Sequence, residues 1–467
     1  MIRLGYAKTD ITPTIPVQLV GFNRADNTSR GVLNPLLAQV SIWESEERHC
    51  LITIDSIGFK RELADRLRAR VGSMLNVSCD QVMLCFSHCH SAPDPAASEE
   101  YFEMVCRNVL TAVQSAAADM ELVSVGWDNA EVDIGVNRRE DILAVEKTDR
   151  QYKTMHTAAQ RKIAALRRAA GAIPTADFIC REYNISLDQR AGILEACSLE
   201  KEEKKDRKLL LIRVTAHCNV LKQDNYLISP DYFGTVRELL QEKYDCPVMV
   251  IQGAAGNIAP RYFDSIETPI DARGSQYIRS KTALGDMAFA IYEKLSQRIA
   301  LIKTADTLSV HMYSREINFY ANVPSLTEAE SIAEEAKNCC GIDGTAWLEE
   351  VKRLHNAGVC RQEETVEVQY FAIGEWCICG VPYELMVEFS LEAMKKLKNP
   401  FFYVNGYTNG CLSYFPTEEE YDKGGYEVYW SLLIYYKYFN RVFPFERDSA
   451  GRLIQFIIEN APVNLQR

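Results

Sequence analysis

The stretch that most constrains this chain is Val82–Pro95, VMLCFSHCHSAPDP. Five apolar residues, Val82 to Phe86, form the short uninterrupted run of a buried strand. The run stops at Ser87-His88-Cys89-His90, and Ser91, Pro93 and Pro95 then turn the chain into a loop. Side chains two apart on an extended backbone point the same way, so His88 and His90 are expected on one side and Cys89 on the other. Two imidazoles at the mouth of a buried strand suit a metal site, one as ligand and its neighbour free for proton transfer. Two ordinary polar residues at a strand end would carry the same letters.

The rest of the chain predicts an α/β (α+β) architecture of mixed, largely buried β-sheets flanked by helices. His49–Ser56 is a strand ending near Asp55, and Arg61–Leu75 is an amphipathic helix leading to the His88 strand. Strand, helix, strand in that order predicts a crossover with parallel pairing, and ligands in such sheets sit beyond the carboxyl ends of the strands. A second apolar strand, Leu209–Val214, delivers His217 at its carboxyl end in the same way. A third, Cys246–Gln252, runs into Gly253-Ala254-Ala255-Gly256-Asn257, whose spacing is neither a Walker loop nor a dinucleotide fingerprint. Arg138 follows a strand that ends near Val136. It reads either as a fixed guanidinium for an oxyanion or as an exposed loop arginine. Glu384 reads as the start of a helix from about Leu385 to Lys398, and tyrosines cluster from Tyr407 to Tyr426. Gln151–Gly171 is helical with a basic face and Leu199–Lys208 is a run of charge, so 142–207 reads as a helical insertion or lid within one domain spanning 1–467.

Charge and cysteine usage narrow the function. A net charge of -12 argues against nucleic acid or anionic lipid as a bulk electrostatic partner. Fifteen cysteines, an odd number without a C-x-x-C pair, sit mostly in apolar runs and read as buried free thiols. The opening MIRLGYAKTDITP has no charged-then-apolar leader, and no integral membrane segment is predicted. A cytoplasmic protein is the expectation, or a secreted one if a leader is cleaved from it.

Together these motifs resemble the neutral (non-lysosomal) ceramidases, zinc-dependent amidases that cleave N-acylsphingosine. The family's H-T-H-S-G-P is His88-Cys89-His90-Ser91-Ala92-Pro93 here, and its N-R-S is Asn137-Arg138-Arg139. An A-I-H-P-like segment matches Thr215-Ala216-His217-Cys218, and S-D-N-x-G is echoed by Pro230-Asp231-Tyr232-Phe233-Gly234. N-x-G-D-V-S-P appears altered as Ala254–Pro260, and P-G-E-F as Pro382-Tyr383-Glu384-Leu385. The final G-x-x-N-x-Y-x-x-Y falls on Gly406–Tyr414, followed by Glu419-Glu420-Tyr421 and Tyr426-Glu427.

The resemblance implies Zn(2+) held by His88, His217, Glu384 and Tyr414, with His90, Arg138 and Tyr426 acting on substrate. Asp55, Asp231 and Asn257 are expected to stand behind those groups. The chain departs from the family at Ala92, Asp94, Asn257 and Ala259, and it ends before the family's C-terminal immunoglobulin-like domain. The expectation is therefore a zinc-dependent hydrolase of an amide (N-acyl) bond in a small soluble substrate. The alternatives are an authentic ceramidase and a non-catalytic binding protein that keeps the fold.

Overall fold

The computed structural model describes residues 1–139, 186–200, 206–261 and 281–466. Strand β3 (Arg48–Ile54), helix α1 (Arg61–Leu75) and strand β4 (Val82–Phe86) form the predicted crossover. They pair in parallel from Cys50↔Val82 to Ile54↔Phe86. The same unit recurs as β8 (Arg207–Val214), α3 (Asp231–Tyr244) and β9 (Val248–Gln252), parallel from Leu210↔Val248 to Val214↔Gln252.

With β1 (Ile2–Asp10), β2 (Leu37–Glu44), β5 (Glu121–Glu131) and β7 (Arg190–Ser198), these strands form one sheet in the order β4-β3-β2-β1-β5-β7-β8-β9. His88 and His217 thus follow strands near opposite ends of the sheet. The sheet is two four-stranded halves joined by a short ladder, since β1 meets β5 only from Ile2↔Val123 to Leu4↔Glu121. Right-handed twist carries the halves round until the outermost strands meet. Gln252 Nε2 at the end of β9 donates to Ser87 O at 3.3 Å, and Gln39 Nε2 on β2 donates to Val248 O at 2.8 Å. The carboxyl ends of both crossovers therefore open into one place.

Four layers bury the apolar faces. Val40, Ile52, Leu84 and Val250 pack on Leu67 of α1, Val105 of α2 (Glu99–Ala118), Val236 of α3 and Ile291 of α4 (Lys281–Ile299). The opposite face, with Leu51, Met83, Leu194 and Met249, meets Phe371, Trp376 and Ile378 of a second sheet. That sheet has the order β11 (Val310–Asn322), β12 (Arg361–Ile373), β13 (Trp376–Gly380), β15 (Phe402–Asn405). Its far side packs Val366, Val368 and Cys379 on Phe389 of α7 (Val387–Leu397) and on Leu453 and Ile457 of α10 (Ser449–Glu459). Each such side chain contributes about 1.5–3 kcal/mol when fully buried. A satellite cluster round Trp347 joins α5 (Leu326–Cys340), α6 (Thr345–Asn356) and α9 (Ser431–Phe439), the last of which follows the short α8 (Glu420–Lys423).

Two local expectations are corrected. Glu384 does not begin a helix: Glu384-Leu385 is a short strand, β14, paired in parallel with β16 (Tyr414–Phe415), and α7 starts at Val387. The 142–207 insertion cannot run unbroken, because Arg190–Ser198 is β7, central in the large sheet. Its interior run AGILEACS is buried throughout. Residues 142–185 and 201–205 of that expectation lie outside the described residues. Among the described residues no helix is long and apolar enough to cross a membrane.

Candidate metal centre

The chain leaves β4 through a strained corner. His88 has φ +56°, in the left-handed region that a side-chain-bearing residue adopts only when its surroundings hold it there. His88 and His90 therefore reach the same side through a twisted corner and not through strand alternation. Their ring centroids are 4.9 Å apart at 82°. Cys89 turns away, its thiol donating to Ser229 O at 2.7 Å. From the other half of the sheet, His217 brings its ring to 4.8 Å from His88 and 5.7 Å from His90. All three are buried.

Backbone carbonyls fix the tautomers. Nδ1 of His88 lies 2.9 Å from Ile57 O, that of His90 3.0 Å from Gly21 O, and that of His217 2.6 Å from Ala255 O. A carbonyl only accepts, so each Nδ1 carries the proton and donates it, leaving Nε2 as a lone pair facing inward. Burial holds His90 well below the usual histidine range, helped by the other two imidazoles. His217 is lowered to about 3, by burial and then by the Arg138 guanidinium.

Against these lone pairs stands an anion. Glu384 Oε2 is 3.2 Å from His88 Nε2 and 3.3 Å from His217 Nε2. His90 Nε2 is buried without a hydrogen-bond partner. Acceptors facing acceptors in a dry pocket repel unless something positive sits between them. The spacing suits a metal ion, because bonds of about 2.0 Å in a zinc tetrahedron set ligand atoms about 3.3 Å apart. The ligand atoms of His88, His90 and His217 lie within 4.8 Å of one another, and so do those of His88, Glu384 and Cys411. Nitrogen, carboxylate and thiol donors with carbonyls bonded behind the imidazoles fit a zinc-type ion.

A cationic and phenolic wall closes one side. The ribbon of β6 (Gly135–Asn137) and β10 (Ile258–Pro260) presents Arg138. Its Nη2 donates to Gly256 O at 2.6 Å and to the Tyr414 hydroxyl at 3.1 Å, and its Nε is 2.9 Å from Glu427 Oε1. Burial alone would lower its pKa, but Tyr414 and the carboxylates of Glu427 and Glu384 raise it. Tyr426 lies on a π-helical turn, Tyr426–Trp430, with its ring 6.0 Å from that of Tyr414. Burial pushes both phenols up, so both keep their protons.

The three residues expected behind the ligands have separate tasks. Asp55 forms a two-oxygen ion pair with Arg237 at 2.8 and 2.6 Å, tying the end of β3 to α3. Asp231 accepts backbone N–H groups from Val220, Leu221 and Tyr232, shaping the loop after His217. Asn257 accepts from Val387 N at 2.8 Å and donates to Glu388 Oε2 at 2.9 Å, fixing α7 next to Glu384. Two neighbours escaped the sequence reading. Tyr407 has its ring 4.4 Å from His88 and its hydroxyl 3.5 Å from Glu384 Oε2. Cys411 has its thiol 3.7 Å from His88 Nδ1. The available signal was the first tyrosine of N-x-Y-x-x-Y, which is cysteine at position 411.

Gly21 offers a test of the His90 support. It sits at φ +88°, and a Cβ there would stand 2.4 Å from His90 Nδ1. Gly21→Ala is expected to lower kcat by about 10²-fold through displacement of the ring. Metal content should stay that of the wild type, and paired kinetics and elemental analysis read out both.

Comparison with protein-family descriptions gives no match, and comparison with curated proteins gives none either. Solved structures do match. Neutral ceramidase from Pseudomonas aeruginosa superposes with a TM-score of 0.64 at 16% identity, covering 97% of this chain and 75% of that one. A ceramidase complexed with C2 gives 0.66 at 15% identity, covering 97% of this chain and 74% of that one. Across nearly its whole length, and at an identity low enough to mark it as divergent, this chain has the neutral ceramidase fold.

Proposed function

We propose that this protein is a zinc-dependent hydrolase that cleaves an amide (N-acyl) bond in a small soluble substrate. One observation carries the reading: three imidazoles, each with Nδ1–H given to a backbone carbonyl, turn their Nε2 lone pairs toward one another and two of them toward the Glu384 carboxylate. His88, His217, Glu384 and Tyr414 are assigned as ligands. Zinc held there would polarise a carbonyl and lower the pKa of a bound water to about 7.

The chain's own groups complete the reaction. His90, neutral because it is buried, accepts the proton of the attacking water at Nε2 and returns it to the leaving amine. The bond from its Nδ1 to Gly21 O keeps that nitrogen free. Arg138 and Tyr426 donate to the oxyanion that develops on the substrate carbonyl. The hydroxyl of Tyr414 accepts from Arg138, which ties that ligand to the oxyanion side.

Arg138→Met is expected to reduce kcat by about 10²–10³-fold, the usual loss of one oxyanion donor. Bound metal should remain, and steady-state kinetics with metal analysis check both. The second reading, ceramide itself as substrate, is favoured by the likeness to ceramidases across 97% of the chain. Turnover of water-soluble N-acyl amides measured beside a fluorescent short-chain ceramide in detergent separates the two. Metal-free protein inert toward both, and unable to take up zinc, overturns the hydrolase.

A further inference from the structure

The turn from Ala255 to Ile258 holds groups on several sides of the centre. His217 donates Nδ1–H to Ala255 O at 2.6 Å and its backbone N–H to Ile258 O at 2.9 Å. Gly256 N donates to Leu385 O at 2.7 Å, and a Cβ at position 256 would stand 2.5 Å from Glu384 O. Arg138 donates from Nη2 to Gly256 O at 2.6 Å and from its backbone N to Asn257 O at 2.8 Å. Two assigned ligands and the assigned oxyanion donor therefore share one four-residue turn.

We propose that Glu388 is a positioning residue that locks this turn and so fixes Arg138 relative to Glu384; this rests on the metal-centre reading. Asn257 is fully buried, and its Oδ1 accepts from Val387 N at 2.8 Å. That bond aims its Nδ2 at Glu388 Oε2, 2.9 Å away. The other oxygen, Oε1, accepts from Nδ2 of buried Asn137 at 3.3 Å, next in the chain to Arg138. A carboxylate in the first turn of α7 is favoured by the helix dipole wherever its side chain points. Here each oxygen also accepts from a buried amide, one on the turn and one on the strand that presents Arg138. Bonds to a charged acceptor are stronger than neutral ones, so the carboxylate holds both amides firmly.

The test exchanges carboxylate and amide. Asn257→Asp sets two carboxylates against each other, and Glu388→Gln leaves one amide donor facing another. In the double variant Asn257→Asp/Glu388→Gln the bond reverses. The new glutamine amide donates to the new aspartate, whose other oxygen still accepts from Val387 N, and the glutamine oxygen still accepts from Asn137 Nδ2. Each single variant is expected to lose about 10–100-fold in zinc affinity, measured by competition with a chromogenic chelator, and the double variant to recover most of it. On a water-soluble N-acyl amide, kcat should follow the same order with KM nearly constant.

Urea unfolding of all four proteins separates positioning from stability. Single variants that are less stable yet bind zinc as the wild type does overturn the proposal, and so does a double variant no better than the singles. Zinc binding that follows the expected order without turnover keeps the positioning of Glu384 and overturns the hydrolase. Failure of the wild type to bind zinc overturns both. Should Asn257→Asp not fold, Glu388→Gln and the double variant decide by the same comparison.

Discussion

His217→Ala is expected to purify folded, without stoichiometric zinc, and with turnover lowered by on the order of 10³-fold or more. The magnitude is the loss of several kcal/mol of transition-state charge stabilisation. His217 donates Nδ1–H to Ala255 O and aims Nε2 at Glu384 Oε2, so its removal deletes one of the proposed ligands and leaves that carbonyl unpaired. The unpaired carbonyl costs about 1–3 kcal/mol, which circular dichroism and a urea titration will register as a weaker but folded protein. Elemental analysis of wild type and variant purified side by side decides the metal. Full zinc occupancy in His217→Ala would remove the residue from the centre.

The same residue sets a pH dependence. Folded His217 titrates at about 3, below the ~6.5 of an unfolded histidine. The unfolded chain therefore takes up its proton first as pH falls. In metal-free protein this contribution to stability is complete above about 6.5 and is lost progressively down to about 3. Urea midpoints in chelator at pH 7.5 and 5 should differ for the wild type and differ by less for His217→Ala, in which buried His90 and His49, also held below the usual histidine range, keep part of the dependence. Protons also compete with metal for Nε2, so zinc retention should fail on the acid side.

The second large effect is on stability. Asp188→Asn is expected to destabilise the protein by about 3–5 kcal/mol, the usual result of breaking a buried ion pair and stranding its partners. Asp188 has no exposed side-chain surface and accepts from Arg190 and Arg213, each at 2.8 Å, and from the Ser390 hydroxyl at 3.1 Å. Burial would raise its pKa, but the two guanidiniums outweigh that and hold it far below the carboxylate range. The cluster joins β7 and β8 of the large sheet to α7 and, through Arg213 and Asn405 at 3.2 Å, to β15 of the small one. Denaturant unfolding measures the loss. Combining Asp188→Asn with Arg213→Met should lose less than the sum, because the second change removes one stranded charge.

Most elements were readable because a hydrophobic run or a 3.6-residue period states a buried strand or an amphipathic helix without reference to the rest of the chain. The crossovers through α1 and α3 and the His88 and His217 positions at strand ends are of that kind. So is the small-residue turn Gly253–Asn257, since its close approach to other backbone needs only the absence of side chains. Resemblance in motif order then implied the ceramidase fold that the superpositions bear out.

What the amino-acid order alone determined was local: which segments form strands and helices, and which chemistry-bearing residues stand at their ends. Tertiary structure decided which of those ends meet. His88 and His217 follow strands near opposite edges of an eight-stranded sheet, and only the folding together of its halves about the short β1–β5 ladder brings the rings to 4.8 Å. Likewise Glu384 became a short strand because Tyr414–Phe415 was there to pair with it, and Cys411 came beside His88 because Gly58 left space. Local pattern depends on neighbours in sequence, whereas a site made of distant side chains depends on twist, pairing and close approach that no single segment encodes.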